Sequence, residues 1–155
     1  MIRDVVKSDV AEVKCLLEGT SEFNSRDVAC CMDCLSNYLE EFKPSYRFIC
    51  KESDNVMEGF ACFDIDTLAD NVMEVYWLVV APNKRNNGAG RLLLSHIESV
   101  ARKQKSRMII LETESHSQYE NARQLYKKYG FKQEAVINDF YRKGDNKEIY
   151  VKRIE

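Results

Sequence analysis

Two apolar runs frame the middle of the chain. Residues 72–81 read VMEVYWLVVA and residues 107–113 read RMIILET. Between them Leu93, Ile97, Val100 and Ala101 recur at helical spacing, on a helix from about Gly90 to Lys105. A strand, a helix and a second strand over roughly 40 residues form a crossover, so the two strands should run parallel in one sheet. The first run is nearly continuous, as a central strand covered on both faces would be.

The segments on either side fill in the sheet. Residues 46–52 (YRFICKE) alternate like a strand, and residues 56–66 (VMEGFACFDID) read as the next one. Polar turns at Asp54-Asn55 and at Ala69-Asp70-Asn71 join them to the central strand as an antiparallel meander. Residues 1–6 form a short first strand. Ser8 or Asp9 can cap a helix through Leu17, with Val10, Val13 and Leu17 on one face. Ser25 can cap a second helix to about Phe42, with Val28, Met32, Leu35 and Leu39 at helical spacing. Residues 118–129 form a further helix, with Gly130 as its left-handed cap and Phe131 as the hydrophobic follower. Two last strands, 131–139 and 147–153, meet at a turn of Gly144, Asp145 and Asn146. The 155 residues suit one domain of the α/β or α+β class, spanning 1–155.

Charge narrows the function. The net charge is −2 and the isoelectric point about 5.8, which disfavours a general nucleic-acid or membrane-surface binder. The apolar runs are far shorter than a membrane span. Arg3 and Asp4 follow Met1 at once, so no signal-peptide core is expected, and the expected location is cytoplasmic. Of the six cysteines, Cys30, Cys31 and Cys34 cluster, but no second Cys/His pair follows at zinc-site spacing. They are expected to be buried helix thiols, and no metal is expected.

The joint between the central strand and its helix reads NKRNNGAGR, residues 83–91. A helix start presents unpaired N–H groups and the positive end of the helix dipole. Gly88 and Gly90 would let a ligand approach that backbone, and Arg85 and Arg91 add positive charge with bidentate reach. The sum is a phosphate or pyrophosphate cradle. It is no P-loop, since no Gly-Lys-Ser/Thr follows. It is no dinucleotide fingerprint either, because Leu93 stands where the third glycine belongs.

Arg85-Asn86-Asn87-Gly88-Ala89-Gly90 matches [R/Q]-x-x-G-x-[G/A]. Downstream, residues 122–131 (ARQLYKKYGF) resemble A-x-x-[L/F]-Y-x-x-x-G-F. With the meander before them, these motifs resemble the GNAT superfamily of acyl-CoA-dependent N-acyltransferases across essentially the whole chain. The resemblance implies an α+β, mixed α/β fold. Its central sheet would be mostly antiparallel, with one parallel, splayed strand pair and about four flanking helices. It also implies acetyl-CoA as co-substrate, and as acceptor a primary amine on a small molecule or peptide.

Carried over residue by residue, Arg85, Asn86, Asn87, Gly88, Ala89, Gly90 and Arg91 would hold the coenzyme A pyrophosphate. The backbone of Leu78 and Val80 would pair with pantetheine. Tyr126 matches the family's general-acid tyrosine. Glu74, eleven residues before Arg85, matches the base glutamate of the histone-acetylating members, although an ordered water or another acid can serve instead. Glu112, at the end of its strand, could hold the acceptor ammonium or cap the next loop. Glu74, Glu112, Glu114 and Asp139 together favour a cationic amine. His96 reads as structural and His116 as solvated. One departure is Tyr119, where many members carry a pantetheine-contacting Asn. Two rival readings share the cradle: a non-catalytic acyl-CoA-binding or sensing domain, and a nucleotide-binding protein. The meander and the last hairpin offer edges for a homodimer.

Overall fold

The computed structural model describes residues 1–41, 44–65 and 67–154. The expected ends of a helix at Phe42 and of a strand at Asp66 lie outside the described residues. The strands are β1 (Ile2–Asp4), β2 (Tyr46–Ser53), β3 (Val56–Asp64), β4 (Val72–Val80), β5 (Met108–Glu114), β6 (Lys132–Arg142) and β7 (Asp145–Arg153). The helices are α1 (Val10–Glu18), α2 (Ser25–Glu40), α3 (Ala89–Lys103) and α4 (Glu120–Tyr129). No helix among the described residues is long and apolar enough to cross a membrane.

One sheet runs in the order β1-β2-β3-β4-β5-β7-β6. Every neighbouring pair is antiparallel except β4 and β5, the pair expected to be parallel. Strand alternation sends side chains to two cores. Ile49, Phe63, Met73 and Ile109 meet Leu93, Ile97 and Tyr126 of α3 and α4 on one face. Phe48, Cys50, Phe60 and Cys62 meet Val13, Leu17, Cys31 and Leu35 of α1 and α2 on the other. A central strand needs this double covering, which explains the near-continuous hydrophobicity of β4.

Local chemistry shifts several expected boundaries. Asn24, not Ser25, caps α2: its Oδ1 accepts the Asp27 N–H at 2.9 Å, and Asp27 accepts the Asn24 N–H at 2.9 Å. Asp9 makes no side-chain cap on α1, because its carboxylate is held by Arg3 at 2.8 and 3.0 Å. The clustered thiols lie on α2 as expected, but only Cys31 is buried: Cys34 is half-buried and Cys30 exposed. No group of three or more metal-binding side chains occurs among the described residues.

A bulge shapes the centre of the sheet. Cys62 faces Trp77 and Phe63 faces Val75, which leaves Tyr76 as the extra residue of β4. On the other side, β4 pairs with β5 only from Val72 opposite Met108 to Val75 opposite Leu111. Beyond the bulge the two strands part.

Gly59 keeps β3 close to the parted segment of β4. A Cβ at this position would lie 2.5 Å from the Val79 carbonyl oxygen and 3.2 Å from Val80 Cα, both backbone atoms. Gly59→Ala is therefore expected to lower stability by about 1–3 kcal/mol, the usual cost of overpacking, as read from urea unfolding.

Candidate functional site

The parting of β4 and β5 opens a cavity of about 500 Å³. One wall is residues 76–80 of β4 and the other is residues 112–114 of β5. The α3 start and α4 close the remaining sides. Since β4 has no pairing with β5 past Val75, its edge there presents unladdered backbone groups to the cavity, Leu78 and Val80 included.

At one end lies the α3 N-terminus. Gly88 is the N-cap at φ 84°, a left-handed conformation glycine adopts at little cost, and no side chain caps the helix. The first turn thus offers free N–H groups and the positive dipole end to the cavity. Gly90 lets this turn seat against α4, since a Cβ there would come 2.7 Å from Leu125 Cδ2. Lys84, Arg85, Asn86 and Arg91 line the same end. Asn87, grouped with these by motif, is exposed and does not line the cavity. Arg85 has a partner that its motif does not reveal: its Nη1 lies 2.8 Å from Oε1 of Glu22, in the loop between α1 and α2.

Tyr126 lines the cavity from α4 and is 6% exposed. Its ring packs edge-on to Phe131, with centroids 6.1 Å apart, and near Tyr150 at 5.9 Å. Burial, and then the neighbouring Tyr150, raise its pKa, so the phenol stays protonated across the working pH range.

The other end is acidic. Asp27, Glu112 and Glu114 line it, together with Tyr119 and Tyr141. Glu112 is 2.9 Å from Lys147. Glu114 is pushed up to about 7, first by burial and then by the neighbouring Asp145 charge. Arg142 opposes that shift from 3.9 Å. Asp145 is buried, accepts the His116 N–H at 3.2 Å and lies 3.4 Å from Arg142 Nε.

Two acids expected at the site lie away from it. Glu74 belongs to the paired part of β4, opposite Ile110 and Asp64, and does not line the cavity. It reaches the cavity only through Tyr76, whose hydroxyl hydrogen-bonds to it. Asp139 is exposed on β6, where its carboxylate accepts the Gly144 N–H at 2.6 Å. Conversely, Glu22, Asp27 and Tyr76 line the cavity although no motif marks them. The helical cap at Asn24 was the one local signal that a loop ended there. Tyr119 spans the mouth, its hydroxyl donating to the Glu22 carbonyl at 3.1 Å.

A mixed sheet opened between two parallel strands, with an uncapped helix start at one end of the opening, is the architecture of an acetyltransferase. The chain belongs to the Acetyltransferase (GNAT) family, whose model matches residues 17–131. Acetyl-CoA is the co-substrate of that family. Among solved structures, one described as a GNAT-family acetyltransferase from Desulfovibrio desulfuricans is 29% identical, with a TM-score of 0.94 over 100% of this chain and 99% of that one. An aminoglycoside 6'-N-acetyltransferase complexed with coenzyme A has a TM-score of 0.80 at 16% identity, over 100% of this chain and 97% of that one. The ribosomal-protein-S18-alanine N-acetyltransferase from Escherichia coli has a TM-score of 0.80 at 18% identity, over 100% of this chain and 94% of that one. These last two likenesses concern the fold. No curated protein sequence matches the chain.

Proposed function

We propose that the protein transfers an acetyl group from acetyl-CoA to a primary amine by direct attack on the thioester. The observation that carries this reading is the continuity of one cavity, which runs from the uncapped α3 start, along the open edge of β4, to Tyr126 and Glu114. A long donor with a charged head and a reactive tail suits such a cavity.

The residues present fit that donor. Gly88 leaves open space, with nothing within 4 Å of where a Cβ would stand. The first-turn N–H groups, with Arg85, Asn86 and Arg91, would hold the pyrophosphate, and the β4 edge at Leu78 and Val80 would hold the pantetheine amides. The donor supplies an activated acyl carbon and a thiol leaving group. Transfer forms a C–N bond and breaks a C–S bond, so one proton must leave the amine and one must reach sulfur. Glu114 is the carboxylate best suited to take the first, directly or through water, since it lines the cavity and burial and the Asp145 charge push it up to about 7. Tyr126 holds the second proton at its hydroxyl. Glu74 lies behind the bulge and is not needed in either role.

Two measurements test the reading. Calorimetry should show acetyl-CoA binding, and an amine panel should release free CoA. Binding without release from any amine would support an acyl-CoA sensor, and binding of ATP or NAD in place of acetyl-CoA would sink the proposal. Arg85→Ala should weaken acetyl-CoA about tenfold, as expected for one charge-assisted phosphate contact. The loss is held to that size because Arg85 must first leave Glu22. Binding of acetyl-pantetheine, which lacks the pyrophosphate, should not change.

A further inference from the structure

Glu22 is placed as no surface acid would be. Its side chain is 9% exposed, and one carboxylate oxygen is 2.8 Å from Arg85. The other, Oε2, is buried and has no hydrogen-bond partner among the described residues, although Glu22 lines the cavity. The backbone on either side of this carboxylate is held in place. The Glu22 carbonyl is held by the Tyr119 hydroxyl, and the next residue, Phe23, packs edge-on to Trp77 with centroids 5.7 Å apart.

We propose that Glu22 anchors the acceptor: as Arg85 turns to the donor's pyrophosphate, the Glu22 carboxylate takes up a non-reacting ammonium of an acceptor that carries at least two amino groups. This rests on the acetyl-CoA reading of the α3 loop. A buried carboxylate that loses its partner is strongly destabilised until another cation arrives. The reacting amine cannot be that cation, because it must be neutral to attack the thioester. A second ammonium on the same acceptor supplies the charge.

The surroundings agree. Asp27, Glu112 and Glu114 line the same cavity, with Asp145 behind Glu114. The cations paired with these acids are Arg142, 63% exposed, and Lys147, while Lys84, Arg91 and Lys128 also line the cavity. Glu22, Asp27, Glu112, Glu114 and Asp145 outnumber their cation partners even with Arg85 in place, and its turning away widens that excess. A peptide N-terminus with no basic side chain would bring only the nitrogen that reacts.

The test uses putrescine and n-butylamine, which differ by one amino group. In wild type, kcat/KM for putrescine should exceed that for n-butylamine by about tenfold or more, one charge-assisted contact, and Glu22→Gln should abolish the preference. Calorimetry on the unaltered protein supplies a second arm that needs no variant. Putrescine should bind about tenfold more tightly with CoA present than alone, and pantetheine should not reproduce the effect. The proposal is overturned if wild type treats the two amines alike, if the preference survives in Glu22→Gln, if pantetheine serves as well as CoA, or if a peptide without basic side chains is the better acceptor. Absence of CoA binding in the same calorimeter would instead remove the acetyl-CoA reading.

Discussion

Tyr126→Phe should lower kcat by about 100-fold or more, the usual contribution of a positioned proton donor, while the Kd for acetyl-CoA changes little. The substitution removes one oxygen and keeps the ring. That ring packs against Phe131 and Tyr150 in the core, so the fold and the cavity wall should persist. On the proposed mechanism, what is lost is the proton for the departing sulfur. Burial keeps this phenol protonated, so wild type should show no loss of the acid form below pH 8, and the variant should resemble wild type in pH dependence. Single-turnover kinetics would separate the chemical step from product release. An unchanged single-turnover rate would assign Tyr126 to packing alone.

Glu114→Gln should cost roughly 100-fold in kcat/KM and flatten the pH profile. In wild type the base must be ionised, so kcat/KM should rise as pH passes through about 7, where burial and the Asp145 charge have pushed this carboxyl. The same shift predicts a stability effect of definite sign. Below the ordinary glutamate pKa, near 4.5, the group is protonated in both folded and unfolded chains. Between there and about 7 the unfolded chain releases the proton and the folded one retains it. The stability that this group contributes is therefore fully present at low pH and is lost as pH rises to about 7. Glu114→Gln should remove that part of the pH dependence, so the variant's urea midpoint should gain on wild type over this interval. A wild-type profile that lacks the inflection near neutrality, with turnover intact, would point to a different base.

Much of this was written locally. The crossover from β4 through α3 to β5 follows from two apolar runs and one helical stripe, and the structure pairs those strands in parallel. Gly88 and Gly90 marked an accessible helix start, and the uncapped first turn has that form. Periodicity repeats within a single strand or helix turn, so a short window of sequence carries it.

The acids were not legible in that way. Spacing drew attention to Glu74, but a one-residue bulge at Tyr76 ends the paired segment just beyond it and leaves it behind the cavity. Glu22 and Asp27 stand in or next to a loop some 60 residues before Arg85, with no motif around them. They reach the site only because α1 and α2 pack on the outer face of the meander and lay their connecting loop against Trp77. Glu112 was visible as an acid at a strand end, and Glu114 only as one of four acids near the expected site. The raised pKa of Glu114 needed Asp145, which register brings across from β7. By itself the sequence determined the parallel pair and the glycine-opened start of α3, because each depends on neighbours a few residues away. Tertiary structure decided which carboxylates line the cavity and which cation each one holds, because charge interactions depend on distance in space and are set by packing and register between remote segments.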